Sequence, residues 1–138
     1  FMYEDDTVYF SHSYPYTYSD LSHYLSSIFH RKEVGRFATI KNIGRTVGKN
    51  KIDQVTITKK NGNHKKVVWI LGRQHPGEIT SSFMMEGIID FLTGHNKVAD
   101  YLREHVVFKI IPMINSDGVI HGNSRCELVG VDPNRRWK

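Results

Sequence analysis

The chain has 138 residues, of which 39% are hydrophobic and 24% are charged, and its net charge is +5 at neutral pH. This composition fits one globular domain and excludes an intrinsically disordered chain. No apolar run approaches the length of a membrane span, and the scattered positive charge permits an acidic partner without predicting nucleic-acid binding.

The chain contains one cysteine, Cys126, so no disulfide can form within it. A single cysteine favours a reducing compartment, and we therefore expect a cytoplasmic protein. The first six residues are acidic around Glu4 and do not resemble a signal peptide. A start at Phe1 leads us to expect that an upstream portion is missing.

Residues 1–18 contain Pro15 and several tyrosines and are predicted to form an irregular lead-in. A helix is predicted over residues 19–32, with Ser19 as its N-cap. Its apolar residues recur at helical spacing and form one face: Leu21, Tyr24, Leu25, Ile28 and Phe29.

The next part of the chain is predicted to form strands. Residues 36–43 and 52–58 alternate well enough for two strands, and Asn61-Gly62-Asn63 is a strong turn signal. Residues 66–72 are predicted as a third strand. Its continuous apolar run, 67–71, indicates burial on both faces.

Two helices are predicted next, over residues 78–92 and 96–104, and a fully apolar strand follows at 106–111. The tail from Asn115 onwards is rich in glycine, asparagine and aspartate and is predicted to be loop. Hairpin strands followed by strand, helices and strand indicate an α/β fold with a mixed sheet flanked by helices.

His75 and Glu78 follow the apolar strand and precede a predicted helix. Open α/β sheets place ligand sites at this position, and a histidine and a carboxylate can bind one metal ion together. The alternative is a carboxylate in the first turn of a helix beside an incidental histidine.

The same spacing occurs at His30 and Glu33, so the His-x-x-Glu pair is weak evidence by itself. That pair lies at the end of an amphipathic helix among charged residues. We interpret it as a solvated polar turn.

Three further polar clusters remain open to two interpretations. Residues 115–118 are typical of an Asx-type turn as well as of a site loop. Arg125 and the pair Asn134-Arg135 are surface groups or carboxylate-binding groups, because arginine binds carboxylates through two parallel hydrogen bonds.

Taken in order, these segments resemble the zinc metallocarboxypeptidase family, and within it the cytosolic carboxypeptidases, the branch that includes tubulin deglutamylases. The resemblance covers nearly the whole chain. The segments that carry it are residues 10–18, 73–78, 111–115, 117–119, 121–123, 125–126, Asp132 and 134–137.

This resemblance implies a role for each matched residue. His75 and Glu78 would bind a catalytic Zn²⁺, and Arg125 would stabilise the oxyanion that forms at the scissile carbonyl. Asn134 and Arg135 would hold the C-terminal carboxylate of the substrate, which makes the enzyme an exopeptidase. Residues 19–138 would then be the N-terminal part of the catalytic domain.

Two residues depart from the family pattern, which usually has proline at Ser116 and leucine at Pro133. Pro133 lacks a backbone donor and favours extended geometry at Asp132, beside the predicted carboxylate clamp. The family's third zinc ligand and its general-base glutamate lie downstream of the Asn-Arg pair. We therefore expect the isolated chain to be inactive and to need the remainder of the domain.

Two hypotheses about function follow. The first is a zinc carboxypeptidase that removes C-terminal residues, glutamate in particular, from acidic-tailed proteins such as tubulin. The second is a non-catalytic product or pseudoenzyme that binds tubulin or another acidic partner. Neither hypothesis involves nucleic acid or a membrane.

Overall fold

The computed structural model describes residues 7–61 and 64–137, so most of the turn predicted at 61–63 lies outside the described residues. The described part contains one sheet of four strands in the order β1-β2-β4-β3. Its strands are β1 (Ala38–Arg45), β2 (Lys51–Ile57), β3 (Lys66–Leu71) and β4 (Val106–Ile111). Its α-helices are α1 (Tyr18–Phe29), α2 (Thr80–Thr93), α3 (Lys97–His105) and α4 (Ser116–Ile120).

The sheet is mixed, which confirms the predicted fold class. β1 pairs with β2 and β2 pairs with β4 in antiparallel fashion, whereas β3 and β4 are parallel. Consequently β1, β3 and β4 run in one direction. They end together at one side of the sheet, at Arg45, Leu71 and Ile111, and we call this side the carboxyl edge.

The N-cap of α1 lies two residues earlier than predicted, and the helix ends three residues earlier. Thr17, not Ser19, is the N-cap, because the Asp20 N–H donates to Thr17 Oγ1 (3.1 Å) and the Thr17 N–H donates to Asp20 Oδ2 (2.7 Å). This reciprocal capping box satisfies two backbone donors and fixes the helix start. The predicted apolar face is confirmed, since Leu21, Leu25 and Ile28 are buried.

The prediction that the third strand is buried on both faces is wrong for this structure. β3 lies at the edge of the sheet, and Val67 and Trp69 are 53% and 57% exposed. The core instead forms around the central strands β2 and β4, where Val55, Ile57 and Ile110 are fully buried. A continuous apolar run indicates a surface that needs cover, but it does not say which strand provides it.

Several other boundaries also differ from the predictions. β1 begins and ends two residues later than expected, and α2 begins at Thr80 rather than Glu78. The tail from Asn115 is not all loop, because it forms α4 and a 3₁₀ helix at Pro133–Arg135. Within the described residues, no helix combines the length and apolar character needed to cross a membrane.

Candidate metal centre

The segments that follow β3 and β4 are hydrogen-bonded to each other at the carboxyl edge. The Gly72 N–H donates to Ile111 O (2.9 Å), and the Ile114 N–H donates in turn to Gly72 O (3.0 Å). A Cβ atom at Gly72 would lie 2.6 Å from Pro112 O, so this close approach requires glycine. Because β3 and β4 are parallel, the loops that follow them lie side by side at the carboxyl edge.

The first of these loops, residues 73–79, carries both predicted metal ligands, and we call it the ligand loop. Its Gly77 N–H donates to Ser124 O at 2.8 Å, and a Cβ atom at Gly77 would lie 2.8 Å from that same oxygen. Gly77 is thus needed because the chain before Arg125 approaches it closely. This contact brings a distant part of the chain to the ligand loop.

His75 is buried, at 6% exposure, and its ring lies between two carboxylates. Nδ1 is 2.7 Å from Glu78 Oε1, and Nε2 is 3.0 Å from Asp132 Oδ1. The hydrogen bond to Glu78, followed by the one to Asp132, raises the pKa of His75 above its ordinary value. Two partners on opposite sides fix the orientation of the ring.

Asp132 is the site residue whose role sequence reasoning missed. Its Oδ1 accepts from the Asn134 N–H (2.8 Å) and faces His75, while its Oδ2 accepts from Arg125 Nε (2.6 Å). Burial raises the pKa of Asp132, but the hydrogen bonds from Arg125 and His75 outweigh it and lower the pKa to about 2. A carboxylate on the outer nitrogen of a histidine is the usual support of a metal-binding imidazole.

The two side chains His75 and Glu78 are chemically suited to part of a zinc site. His75 Nδ1 and Glu78 Oε1 lie 2.7 Å apart, so a cation bound to both would meet one nitrogen and one oxygen ligand. Catalytic zinc usually takes three protein ligands. Among the described residues, no group of three histidine, cysteine, aspartate or glutamate side chains is arranged to hold a metal ion.

Arg125 lines the same cleft as the two predicted ligands. This cleft has a volume of about 600 Å³ and its walls include His75, Glu78 and Arg125, together with Tyr16 of the lead-in. The Arg125 side chain is 48% exposed, and Asp132 holds it through Nε. Its position therefore allows a guanidinium group to face a ligand beside the two predicted metal ligands.

The two residues of the predicted carboxylate clamp, unlike Arg125, are not among the described residues that form the cleft wall. These residues, Asn134 and Arg135, are exposed in the 3₁₀ helix. Asp132 has the extended backbone that Pro133 was expected to impose (φ −78°, ψ 111°). Pro133 occupies the first helical position, where its missing N–H costs nothing. The clamp role of Asn134 and Arg135 stays a prediction.

The predicted Asx-type turn at 115–118 is present and also anchors a second loop. Asn115 Oδ1 accepts from the Gly118 N–H (3.0 Å) and caps α4. The buried Asp117 carboxylate accepts from Thr46 Oγ1 (2.6 Å), the Gly48 N–H (2.7 Å) and Asn50 Nδ2 (2.8 Å). This carboxylate ties the β1–β2 turn to α4 at the carboxyl edge.

The known proteins that resemble this chain in sequence and structure are carboxypeptidases. The zinc carboxypeptidase family model matches residues 29–138. The chain is 48% identical to mouse cytosolic carboxypeptidase 6 over 97% of its own length, and 42% identical to mouse cytosolic carboxypeptidase 3 over 99%. A metallo-carboxypeptidase from Burkholderia cenocepacia aligns with 89% of the chain at 33% identity and a TM-score of 0.80.

These proteins are all much longer than the chain. It spans 25% and 14% of the two mouse proteins and 33% of the bacterial structure. The similarity therefore concerns one part of a larger protein.

Proposed function

Because the chain belongs to the zinc carboxypeptidase family, we propose that it forms the part of a metallocarboxypeptidase catalytic domain that supplies two zinc ligands. The supporting observation is the arrangement of His75 between Glu78 and Asp132, at 2.7 and 3.0 Å. His30 and Glu33 have the same spacing, but no such arrangement surrounds them in the described part of the chain. The proposed ligands are therefore His75 and Glu78.

Each residue of the cleft has a proposed task. Bound zinc would polarise the scissile carbonyl and lower the pKa of a water molecule. Asp132 would keep the His75 ring in place, and the Arg125 guanidinium would stabilise negative charge on the carbonyl oxygen. Asn134 and Arg135 would bind the terminal carboxylate of a peptide.

The third zinc ligand and the general base are proposed to come from outside these 138 residues. The chain spans a quarter or less of the two mouse relatives, so the remainder of such a domain has ample length to supply them. The isolated chain is then expected to bind zinc weakly and to hydrolyse nothing. Its proposed location is the cytoplasm, in keeping with the names of these relatives.

The proposed substrate is a protein or peptide with an acidic C-terminal region, such as the glutamate-rich tail of tubulin. Support comes from a basic turn at the carboxyl edge, formed by Arg45, Lys49 and Lys51. These side chains line a groove of about 450 Å³ against Tyr18 of α1, and Asp53 is the single acidic residue among its described lining residues. A positive groove at the carboxyl edge would attract an acidic peptide.

The proposed reaction is tested with Glu78→Gln in the full-length protein that contains this chain. Release of C-terminal glutamate from a synthetic peptide should fall by at least about 100-fold, because a metal ligand is lost. Glu33→Gln is the matched control and should leave the rate unchanged. An unchanged rate in Glu78→Gln would remove Glu78 from the site.

The acidic preference is tested separately with the triple variant Arg45→Ala/Lys49→Ala/Lys51→Ala. KM for a peptide with an acidic stretch before its last residue should rise about tenfold at low salt, and this increase should shrink at high salt. KM for a peptide with a neutral stretch should stay the same. An equal rise for both peptides would contradict the role of the basic turn.

A further inference from the structure

Arg73 is a buried cation at the start of the ligand loop. It is 4% exposed, and its hydrogen-bond partners among the described residues are neutral oxygen atoms. Nε and Nη2 both donate to Pro76 O (3.0 and 2.7 Å), while Nη1 donates to Tyr16 O (3.1 Å) and Ser82 Oγ (2.9 Å). Arginine is rarely buried unless its donors are satisfied, and here four hydrogen bonds engage all three guanidinium nitrogens.

The backbone of Arg73 is also unusual. Its φ of +51° lies in the left-handed region, which glycine and asparagine adopt more easily than arginine. The Arg73 N–H donates to Ser81 Oγ (3.1 Å), and its carbonyl accepts from the Asn115 N–H (3.2 Å). If the turn geometry alone mattered, glycine would serve better at this position. The side chain therefore offers the physical reason for arginine.

The acceptor that Arg73 holds with two hydrogen bonds lies between the two proposed zinc ligands. Pro76 O belongs to the peptide group that joins Pro76 to Gly77, the middle one of the three peptide groups between His75 and Glu78. The other guanidinium nitrogen reaches Tyr16 in the lead-in and Ser82 in α2. One side chain thus connects the ligand loop to the lead-in, 57 residues away, and to the helix that follows the loop.

We propose that Arg73 is a positioning residue that sets the spacing of His75 and Glu78 and thereby the affinity for zinc. This inference rests on the proposed zinc site. A planar guanidinium can bind Pro76 O with two nitrogens and still donate in a second direction, whereas a lysine ammonium is a single point with a flexible stem. The charge alone is therefore not sufficient.

The test measures zinc affinity by competition with a chelator, and thermal stability, in the full-length protein. Arg73→Lys should weaken zinc binding about 10- to 100-fold, as loss of an outer support of a metal ligand does. Arg103 provides a matched control, since it is 3% exposed and its Nη1 donates to the backbone oxygens of Leu92 and Gly94, away from the cleft. Arg103→Lys should lower the melting temperature and leave zinc affinity within about twofold.

Two results would overturn the inference. One is unchanged zinc affinity in Arg73→Lys. The other is an equal loss of zinc affinity in Arg103→Lys, which would make the effect a general loss of stability. His75→Ala separates this failure from failure of the proposed function, because an unchanged affinity in that variant would remove the zinc site itself.

A second variant decides the question if Arg73→Lys does not fold. Ser82→Ala removes one acceptor of the guanidinium and leaves the charge and the loop sequence intact. It should lower zinc affinity severalfold with little change in melting temperature. Unchanged affinity in Ser82→Ala would then overturn the inference.

Discussion

Two pairs in this chain, His30 with Glu33 and His75 with Glu78, share the same spacing but differ in the burial and the partners of the histidine. His30 is exposed in the turn after α1, and its Nδ1 lies 2.6 Å from Ser26 O, one helical turn earlier. His75 is buried and contacts a carboxylate 57 residues away. The difference teaches that spacing alone does not distinguish a candidate metal-binding pair, whereas partners from other elements do.

The polar turn predicted for the first pair is confirmed for His30, whereas Glu33 is half-buried and immediately precedes a 3₁₀ helix at Val34–Arg36. The hydrogen-bond partner of His30 is Ser26, which belongs to the preceding helix, α1. The second pair lies where two parallel strands end and where the chain before Arg125 returns. The four predictions below test this difference, from the largest effect to the smallest.

Replacement of Asp132 should leave His75, like His30, without a carboxylate partner from a distant part of the chain. Asp132→Asn keeps the shape of the side chain but removes the charge that faces Nε2 and Arg125. We expect zinc affinity of the full-length protein to fall about 10- to 100-fold, because the imidazole loses its supporting carboxylate. Chelator competition measures this, and an affinity within twofold of the wild type would show that Asp132 does not support the ligand.

A glycine near each pair provides the second contrast. Gly77→Ala places a Cβ atom 2.8 Å from Ser124 O, whereas nothing lies within 4 Å of a Cβ atom at Gly35. We expect Gly77→Ala to lower the free energy of unfolding by about 2 kcal/mol, since the ligand loop must shift away from the backbone it contacts. Gly35→Ala should change it by less than about 0.5 kcal/mol. Urea denaturation compares the two, and equal effects would contradict the close contact.

The third prediction concerns how stability depends on pH. The buried Asp117 carboxylate ties the β1–β2 turn to α4 at the carboxyl edge. Burial raises the pKa of Asp117, but hydrogen bonds from Thr46, Asn50 and the Gly48 N–H outweigh it and lower the pKa. A lowered folded-state pKa means that Asp117 stabilises the fold above its ordinary pKa. This stabilisation is lost as the pH falls through the lower, folded-state value.

Asp117→Asn should therefore reduce stability at pH 7 by about 1–2 kcal/mol, and its difference from the wild type should shrink at pH 3. Thr46→Val removes one of the three donors and should show a smaller change in the same direction. Unfolding curves at several pH values measure both variants. A difference that stays constant with pH would contradict the role of the ionised carboxylate.

The smallest effect concerns Ser116, where the family usually has proline. Its side chain is fully buried, and Ser116 Oγ has no hydrogen-bond partner among the described residues. Ser116→Ala should raise the free energy of unfolding by about 1 kcal/mol, because it removes a buried unpaired hydroxyl. Ser26→Ala, at an exposed serine beside His30, should change it by less than about 0.5 kcal/mol. A loss of stability in Ser116→Ala would show that the hydroxyl has a partner.

Regular patterns in the sequence predicted much of the fold. β4 has the predicted bounds, and the apolar spacing of α1 identified the residues that it buries. The strand containing Trp69 was recognised, but its exposure was not, because an apolar run is the same in a central and an edge strand. The five-residue helix α4 was missed because short polar segments give no periodic signal.

Sequence alone also placed His75 and Glu78 after a strand and before a helix, and the ordered motifs around them indicated the family. It could not show that Asp132 contacts His75, because no local pattern links residues 57 positions apart. Local spacing and periodicity determined the elements and the candidate ligands. The tertiary structure decided which partners fix them, because the parallel pairing of β3 with β4 brings their loops to one edge.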